Sequence, residues 1–395
     1  MIKSLLDTDF YKLTMMQAVL HHYPSAIVRY EFKWRNWDKM NLNIELNDFR
    51  RRLIKDGLSS FCELSFKDEE LDYLSAIPFF KPDFIDYLAL YTPNCKYIQP
   101  HIHAGELRIR IEGPWVQTIL FETPVLAMIS ELYTRHNNIM EFSWQKDARR
   151  VLANKIDFLK NALHRDNNFK FVDFGTRRRA ALLWHKEVLT TLQDSLPNNF
   201  IGTSNVMFAM QLGLKPIGTM AHEWLQAHQQ LGVRLVDSQA AAMQTWANEY
   251  RGELGIALSD VVGFDNFLKD FDRYFALLFD GCRHDSGDPE WWCEKLINHY
   301  KALRIDPKSK AAVFSDGLTM PIAVDLYKRF NSQINTSFGI GTHLTNDCGF
   351  TAPQIVIKLV DCNGKPTAKI SDSKGKGMCE DSSFLEYLNK VMREK

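Results

Sequence analysis

From about residue 169 the chain repeats one unit: a short apolar run, a polar Gly-rich turn, and in most cases a helical pattern behind it. FKFVDFGTRRR (169–179) comes first, followed by KPIGTMAHEW (215–224) and LGIALSD (254–260). FDGCRHDSGDP (279–289), AAVFSDGL (311–318) and NTSFGIGT (335–342) complete the series. Helical stretches between them include SQAAAMQTWANEY (238–250), PEWWCEKLINHYKAL (289–303) and TMPIAVDLYKRF (319–330). Such alternation predicts a parallel sheet with right-handed crossovers. With so many units, a closed or nearly closed α/β barrel is expected rather than an open sheet. The chemistry of such barrels sits at the carboxyl ends of the strands, where every one of these turns would lie.

The rest of the chain keeps a different rhythm. LTMMQAVLHHY (13–23) suits a helix, whereas AIVRYEFKWR (26–35) and LRIRIEG (107–113) alternate as half-buried strands do. The apolar stretch 115–135 predicts buried helix interrupted near Pro124. QIVIKLVDCNGKPTAKISDS (354–373) predicts a hairpin turned at Asn363-Gly364 that rejoins the first part. The expected organisation is an α+β unit with linking helices over 1–135 and a barrel over 136–350. A hairpin and helix over 351–395 would return to the first unit.

Charge narrows the partners. Lys plus Arg equals Asp plus Glu at 48 each, so no global field recruits nucleic acid or membrane. An anionic ligand must be held by local arginines and backbone amides. The seven cysteines are scattered and form no C-x-x-C pair, which suggests neither a zinc ribbon nor a disulfide framework. Without a signal-peptide core or a membrane-length apolar run, a cytoplasmic location is expected. NGKPT (363–367) fails the spacing of a Walker A loop, so any ATP must bind without one.

The strand-end turns together offer Asp173, Asp260, Asp285, Asp288, Asp316, Arg177, Arg178, Arg179, Arg283, Gly339, Gly341 and His222. Taken singly, each has an ordinary explanation as turn chemistry, and Asp288-Pro289 reads as a helix N-cap with Pro in the first turn. Taken together on one face of a barrel, they describe a site for a phosphorylated, Mg²⁺-chelated ligand. Three arginines sit poorly at a helix N-terminus, which points to an anionic partner. FGIGT supplies small residues where a phosphate would settle. His222 and His228 stand six apart rather than four, so HEWLQAH is no zinc-protease helix. Glu223 would diverge from its neighbour and not orient the ring. A nucleophilic or proton-transferring role for His222 is the better reading.

These motifs, in this order, resemble the nicotinate phosphoribosyltransferase family, in its bacterial-type long form. The resemblance runs essentially end to end, from LLDTDFYKLTMMQ through EGPW, ETPVLAMISE, DFGTRRR, GTSN, GTMAHEW, RHDSGDP, FSDGL and SFGIGT to KLVDCNGKPTAKISDS. It implies an irregular (β/α) barrel of the type II phosphoribosyltransferase kind plus an α+β domain built from both chain ends. It also implies a homodimer with active sites at the subunit boundary. The implied reaction, in NAD biosynthesis by pyridine nucleotide salvage, joins nicotinate to phosphoribosyl pyrophosphate with ATP hydrolysis through a phosphohistidine at His222. Phe174 and the partner subunit's Tyr11 would then sandwich the pyridine ring. Arg177 and Arg283 would face its carboxylate or the ribose phosphate. Asp285 and Asp316 would hold ribose hydroxyls or Mg-pyrophosphate, with Asp285 the metal carboxylate and Asp260 beside the substrate. Gly339, Gly341 and Thr342 would cradle the 5′-phosphate. Ser204 stands where the nicotinamide-specific relative carries Asp, and a hydroxyl that donates to a carboxylate favours nicotinate; otherwise Ser204 simply N-caps the next helix. The alternatives are a nicotinamide- or quinolinate-specific enzyme, or a non-catalytic regulator that binds a phosphate-sugar.

Overall fold

The computed structural model describes residues 1–40, 44–137, 143–164, 166–373 and 379–395. Its strands form two sheets. One is antiparallel, built from β1 (Ile27–Trp34), β2 (Ile98–His103), β3 (Glu106–Pro114), β10 (Ile355–Cys362) and β11 (Lys365–Pro366), in the order β11-β10-β1-β3-β2. The other is parallel: β4 (Phe171–Asp173), β5 (Phe200–Thr203), β6 (Ile256–Leu258), β7 (Gly281–His284), β8 (Ala311–Phe314) and β9 (Asn335–Ile340), in the order β5-β4-β9-β8-β7-β6. The expected alternating strands 26–35 and 107–113 are β1 and β3. Each points its apolar residues to one buried face.

The parallel sheet is the irregular barrel. KPIGTMAHEW, read from sequence as a strand, is not one. Its first seven residues, 215–221, run between the two edge strands as irregular chain, through a single bridge of Pro216 to Thr203 and a bond from Ile217 N to Thr203 O, before a helix starts at His222. On its other side Thr219 Oγ1 donates to Ile256 O, 2.9 Å away. One connecting segment thus fills the gap that a further strand would close. The reason is chemical: Pro216 lacks an N–H, and Gly218 packs where an added Cβ would lie 3.0 Å from Tyr11 N. FIGT (β5), by contrast, is a barrel strand that the repeating pattern passed over.

Strand register is fixed by an aromatic ladder. Phe171 pairs with Phe200 on one side and Phe338 on the other, and Phe338 pairs with Phe314. The Phe314 and Phe338 rings stack at 5.5 Å and 11°. His284 continues the row opposite Phe314 on β7. A one-residue slip on any of these strands would turn its ring off this face. The ladder therefore brings Phe174, Ser204, Gly341, Asp316 and Asp285, each within four residues of its rung, to one level at the carboxyl ends.

At the chain's end the Asn363-Gly364 turn has both residues at positive φ, 55° and 76°, and β10 pairs antiparallel with β1. The returning strand is only two residues long. Beyond it the backbone leaves the sheet for the barrel, where Ala368 exchanges two hydrogen bonds with the Gln229 side chain and Ile370 N donates to Val261 O. The last helix, Ser382–Arg393, buries Leu388 and Met392, and Lys395 beyond it pairs with Asp270. The apolar stretch 115–135 is helical with its break at 119–121, just before Pro124 enters the first turn of Glu122–Asn137. Cys62 and Cys95 form one disulfide, which nothing in the cysteine spacing signals, and the other five cysteines are free. No described helix is long and apolar enough to cross a membrane.

Candidate active site

His222 opens the short helix His222–Ala227. The two residues after it are anchored. Glu223 pairs with Lys12, and the fully buried Trp224 packs among Trp115, Trp246 and Tyr23 while its indole N–H donates to Ala242 O. These anchors set the helical register that places the imidazole. Its Nε2 lies 2.9 Å from Asp260 Oδ1, 3.3 Å from Asp285 Oδ2 and 2.7 Å from Lys369 Nζ. Asp260 also receives the Lys369 ammonium at 2.5 Å and the Ser286 hydroxyl at 2.6 Å. Asp285 takes the Ser315 hydroxyl on its other oxygen, 2.9 Å away.

The electrostatics favour a neutral ring between two anionic carboxylates. Burial, then the Lys369 ammonium, push His222 below its usual value, and Asp260 and Asp285 oppose them. Burial alone would raise Asp260, yet His222 and Lys369 reverse it and hold the carboxyl well below its normal range. In Asp285 burial is likewise outweighed, by His222 and Arg283, so the carboxyl is lowered. Arg283, on β7, keeps a buried Nε without a hydrogen-bond partner among the described residues. A polar hydrogen so placed calls for an acceptor oxygen from a ligand.

A second group lies alongside. Arg177 reaches Asp9 at 3.7 Å and Glu122 at 3.4 Å, and its pKa is raised, first by Tyr11. Tyr11 belongs here to the same chain, on the helix Phe10–His22. Asp285 also acts on Arg177, so the two groups share one electrostatic field. Phe174 is half buried, directly above Gly339 and Gly341. A Cβ on Gly339 would lie 2.3 Å from the Phe174 ring, and one on Gly341 3.0 Å from its carbonyl oxygen. These glycines make room for the aromatic platform. Gly341 also precedes the helical turn that starts at Thr342. Asp316 is in the field of Arg35 and Arg178.

Several strand-end residues are already spent on structure. Asp173 is fully buried and bonded to His185, Thr203 and Gly175 N. Arg179 forms a buried bidentate pair with Asp7 at 2.6 and 2.7 Å. Asp288 is the N-cap expected of it. Arg178 donates to Ile355 O, and its pKa is lowered to about 10 by burial, then Arg177. Ser204 is not a cap: Asn205 caps the helix Val206–Leu212, and the Ser204 hydroxyl donates to Asp9 Oδ1 at 2.7 Å. A substrate carboxylate would have to draw that hydrogen away from Asp9.

Sequence reasoning assigned no role to Lys369, Arg35, Asp9 or Lys12. Asp9 and Lys12 flank Tyr11 in DTDFYK, but Lys369 lies beyond a hairpin turn and gains its place only through the fold. Arg35, at the end of β1, feels Asp316, Arg177 and Asp285 from the antiparallel sheet. The site is thus lined from both sheets.

Carboxylates, arginines and a neutral histidine gathered at the strand ends of an irregular parallel barrel, capped by an antiparallel sheet, define the type II phosphoribosyltransferase class. A sequence model of the nicotinate phosphoribosyltransferase (NAPRTase) family matches residues 169–395, and one of that family's N-terminal domain matches residues 6–130. The nicotinate phosphoribosyltransferase of Burkholderia mallei is 52% identical over 393 residues, 99% of this chain and 96% of the relative. That of Xanthomonas euvesicatoria is 51% identical, with 99% and 97% covered. The nicotinate phosphoribosyltransferase structure from Vibrio cholerae superposes with a TM-score of 0.91 at 39% identity, over 99% of this chain and 94% of that one. The one from Porphyromonas gingivalis gives 0.90 at 34% identity, over 99% and 100%. The chain belongs to the nicotinate phosphoribosyltransferase family and is an enzyme.

Proposed function

We propose that this enzyme couples the condensation of nicotinate with phosphoribosyl pyrophosphate to ATP hydrolysis through phosphorylated His222, as a cytoplasmic homodimer that salvages the vitamin for NAD. The observation that carries the reading is the His222 ring itself: half-buried, fixed between Asp260, Asp285 and Lys369, and shifted toward its neutral form. A neutral imidazole nitrogen is a nucleophile toward the γ-phosphorus of ATP. The bond to the β,γ-bridging oxygen breaks as the N–P bond forms. Lys369 and the unpaired Nε of Arg283 supply positive charge where the phosphoryl oxygens gain it.

In the sugar transfer, the pyridine nitrogen already carries a free lone pair, so attack on the anomeric carbon needs no general base. What remains is alignment and charge. Phe174 offers a flat apolar face for the pyridine ring, and the Tyr11 beside Arg177 is this chain's own and not one from a partner subunit. Arg177 offers a fork for the carboxylate or ribose phosphate. Asp316 would face the ribose hydroxyls and Gly341 and Thr342 the 5′-phosphate, whereas Asp260, its oxygens held by His222, Lys369 and Ser286, would act through those groups.

The donor set also suits Mg²⁺ in part. His222, Asp260 and Asp285 bring one ligand atom each within 4.8 Å of the others. Asp260 is already occupied by the Lys369 ammonium, and Mg²⁺ prefers oxygen to nitrogen. Asp285 is therefore the carboxylate that would hold it, with water and substrate phosphate completing the shell. Bound there, the ion would neutralise phosphate charge.

Incubation with γ-labelled ATP and Mg²⁺ tests the reading. An alkali-stable, acid-labile label that vanishes in His222→Ala is expected. Unchanged ATP hydrolysis in that variant would remove His222 from the reaction. Faster turnover of nicotinamide or quinolinate than of nicotinate would reassign the substrate.

A further inference from the structure

The part-exposed Arg177 and the His222 helix are joined by an unbroken row of charges, buried from Glu122 inward. Arg177 Nη1 lies 3.4 Å from Glu122 Oε1, and the other oxygen of Glu122 lies 2.6 Å from Lys12 Nζ. The same ammonium reaches Glu223 Oε2 at 2.8 Å. Glu223 directly follows His222. Lys12 has no exposed side-chain surface at all, and Glu223 has 5%. So costly a grouping of charges is retained only with close partners, and here the pairing is incomplete. Glu223 Oε1 and the Tyr30 hydroxyl are buried neighbours that already act on each other, yet among the described residues neither makes a hydrogen bond of good geometry. The row can therefore be redistributed: one carboxylate oxygen and one hydroxyl stand ready to pair when the share of Lys12 changes.

We propose that Lys12 and Glu223 are positioning residues that couple occupancy of the Arg177 subsite to the placement of His222. A substrate carboxylate on Arg177 competes with Glu122 for the guanidinium. Glu122 then leans more heavily on Lys12, and Lys12 loosens its hold on Glu223. Released from Lys12, Glu223 is free to pair with Tyr30, and the first turn of the His222 helix shifts with it. The helix bearing Lys12 is itself bound to the segment before His222, since Thr14 Oγ1 donates to Thr219 O at 2.7 Å. Neither end of the row therefore moves alone. Glu122, reached by both Lys12 and Arg177, is the shared member.

The inference rests on the ATP-coupled reading above, and its test separates the two. The KM for nicotinate is measured with and without ATP in the intact enzyme and in Glu223→Gln, which keeps shape and removes charge. The wild-type ratio is expected to lie in the usual coupling range of roughly 5- to 150-fold, and the variant's within about twofold of unity. A wild-type ratio of one would overturn the ATP coupling and the relay with it. A variant that keeps the full wild-type ratio overturns the relay alone. If Glu223→Gln does not fold, Lys12→Arg gives the same readout: a fork in place of a point charge keeps the charge but spoils the two-sided geometry, so the ratio should again fall. An unchanged ratio there equally overturns the proposal.

Discussion

The Lys369 ammonium lies 2.7 Å from His222 Nε2 and 2.5 Å from Asp260, so a residue from the far end of the chain sits where a cation between ring and carboxylate belongs. It opposes a proton on the ring, as does burial, while Asp260 and Asp285 favour one. The neutral, nucleophilic form therefore persists to lower pH than in a free histidine.

Replacing the ammonium should show this directly. In Lys369→Met, one of the two lowering influences is gone and both carboxylates act on the ring against burial alone. The imidazole should titrate at higher pH, and the acid limb of ATP hydrolysis should move upward. A pH–rate profile of the variant against wild type checks it. An unmoved acid limb would mean that Lys369 does not bear on the ring's proton.

Gly339 and Phe174 give a second prediction, about stacking. A methyl at position 339 would meet the Phe174 ring at 2.3 Å, and a strand backbone cannot withdraw. Gly339→Ala should displace the ring and cost about 1–3 kcal/mol of stability by overpacking. The KM for nicotinate should rise while that for phosphoribosyl pyrophosphate changes little. Parallel changes in both would argue that the strand end as a whole has moved.

How much of this was legible beforehand follows from what periodicity can carry. The units behind β4, β6, β7, β8 and β9 announced themselves because an apolar run ending in a Gly- or Asp-bearing turn is a local signal. The segment 215–219 imitated that signal but could not become a strand, since Pro216 and the close approach at Gly218 deny it a ladder. Ser204 failed as a cap because Asn205, one residue on, takes that position. Asp173 and Arg179 looked like ligands and are internal braces, a distinction set by partners distant in sequence. The contribution of Lys369 was invisible for the same reason. Its site depends on where a short hairpin releases the chain.

The Asp7–Arg179 pair predicts a pH-dependent share of stability. Burial would raise Asp7, but Arg179, through charge and two hydrogen bonds, and Asn205 hold its carboxyl below its ordinary value. A carboxyl lowered in the folded state stabilises above its unfolded pKa and loses that contribution as pH falls through the folded one. Asp7→Asn leaves a buried guanidinium without its counter-ion, at a cost of roughly 3–5 kcal/mol near neutral pH. Denaturant melts at pH 7 and below pH 4 should show the gap between variant and wild type narrowing in acid. A constant gap would assign the loss to packing instead.

Specificity between acid and amide is the last and sharpest test. Ser204 donates to Asp9 at 2.7 Å, and Asp9 in turn faces Arg177. Ser204→Asp therefore places a second carboxyl against one that is already buried. Two such groups in contact cannot both ionise without cost, so at neutral pH one should hold a proton. The new residue disfavours the substrate carboxylate by like charge and can accept from an amide nitrogen. The ratio of kcat/KM for nicotinamide over nicotinate should rise at least about tenfold, the equivalent of 1.4 kcal/mol. The rise should grow with pH, as the shared proton is lost and repulsion of the acid increases. Removing Asp9 as well, in Ser204→Asp/Asp9→Asn, should abolish that pH dependence while keeping the preference. A ratio that stays at its wild-type value across the pH range would show that the Ser204–Asp9 contact lies outside the pyridine subsite.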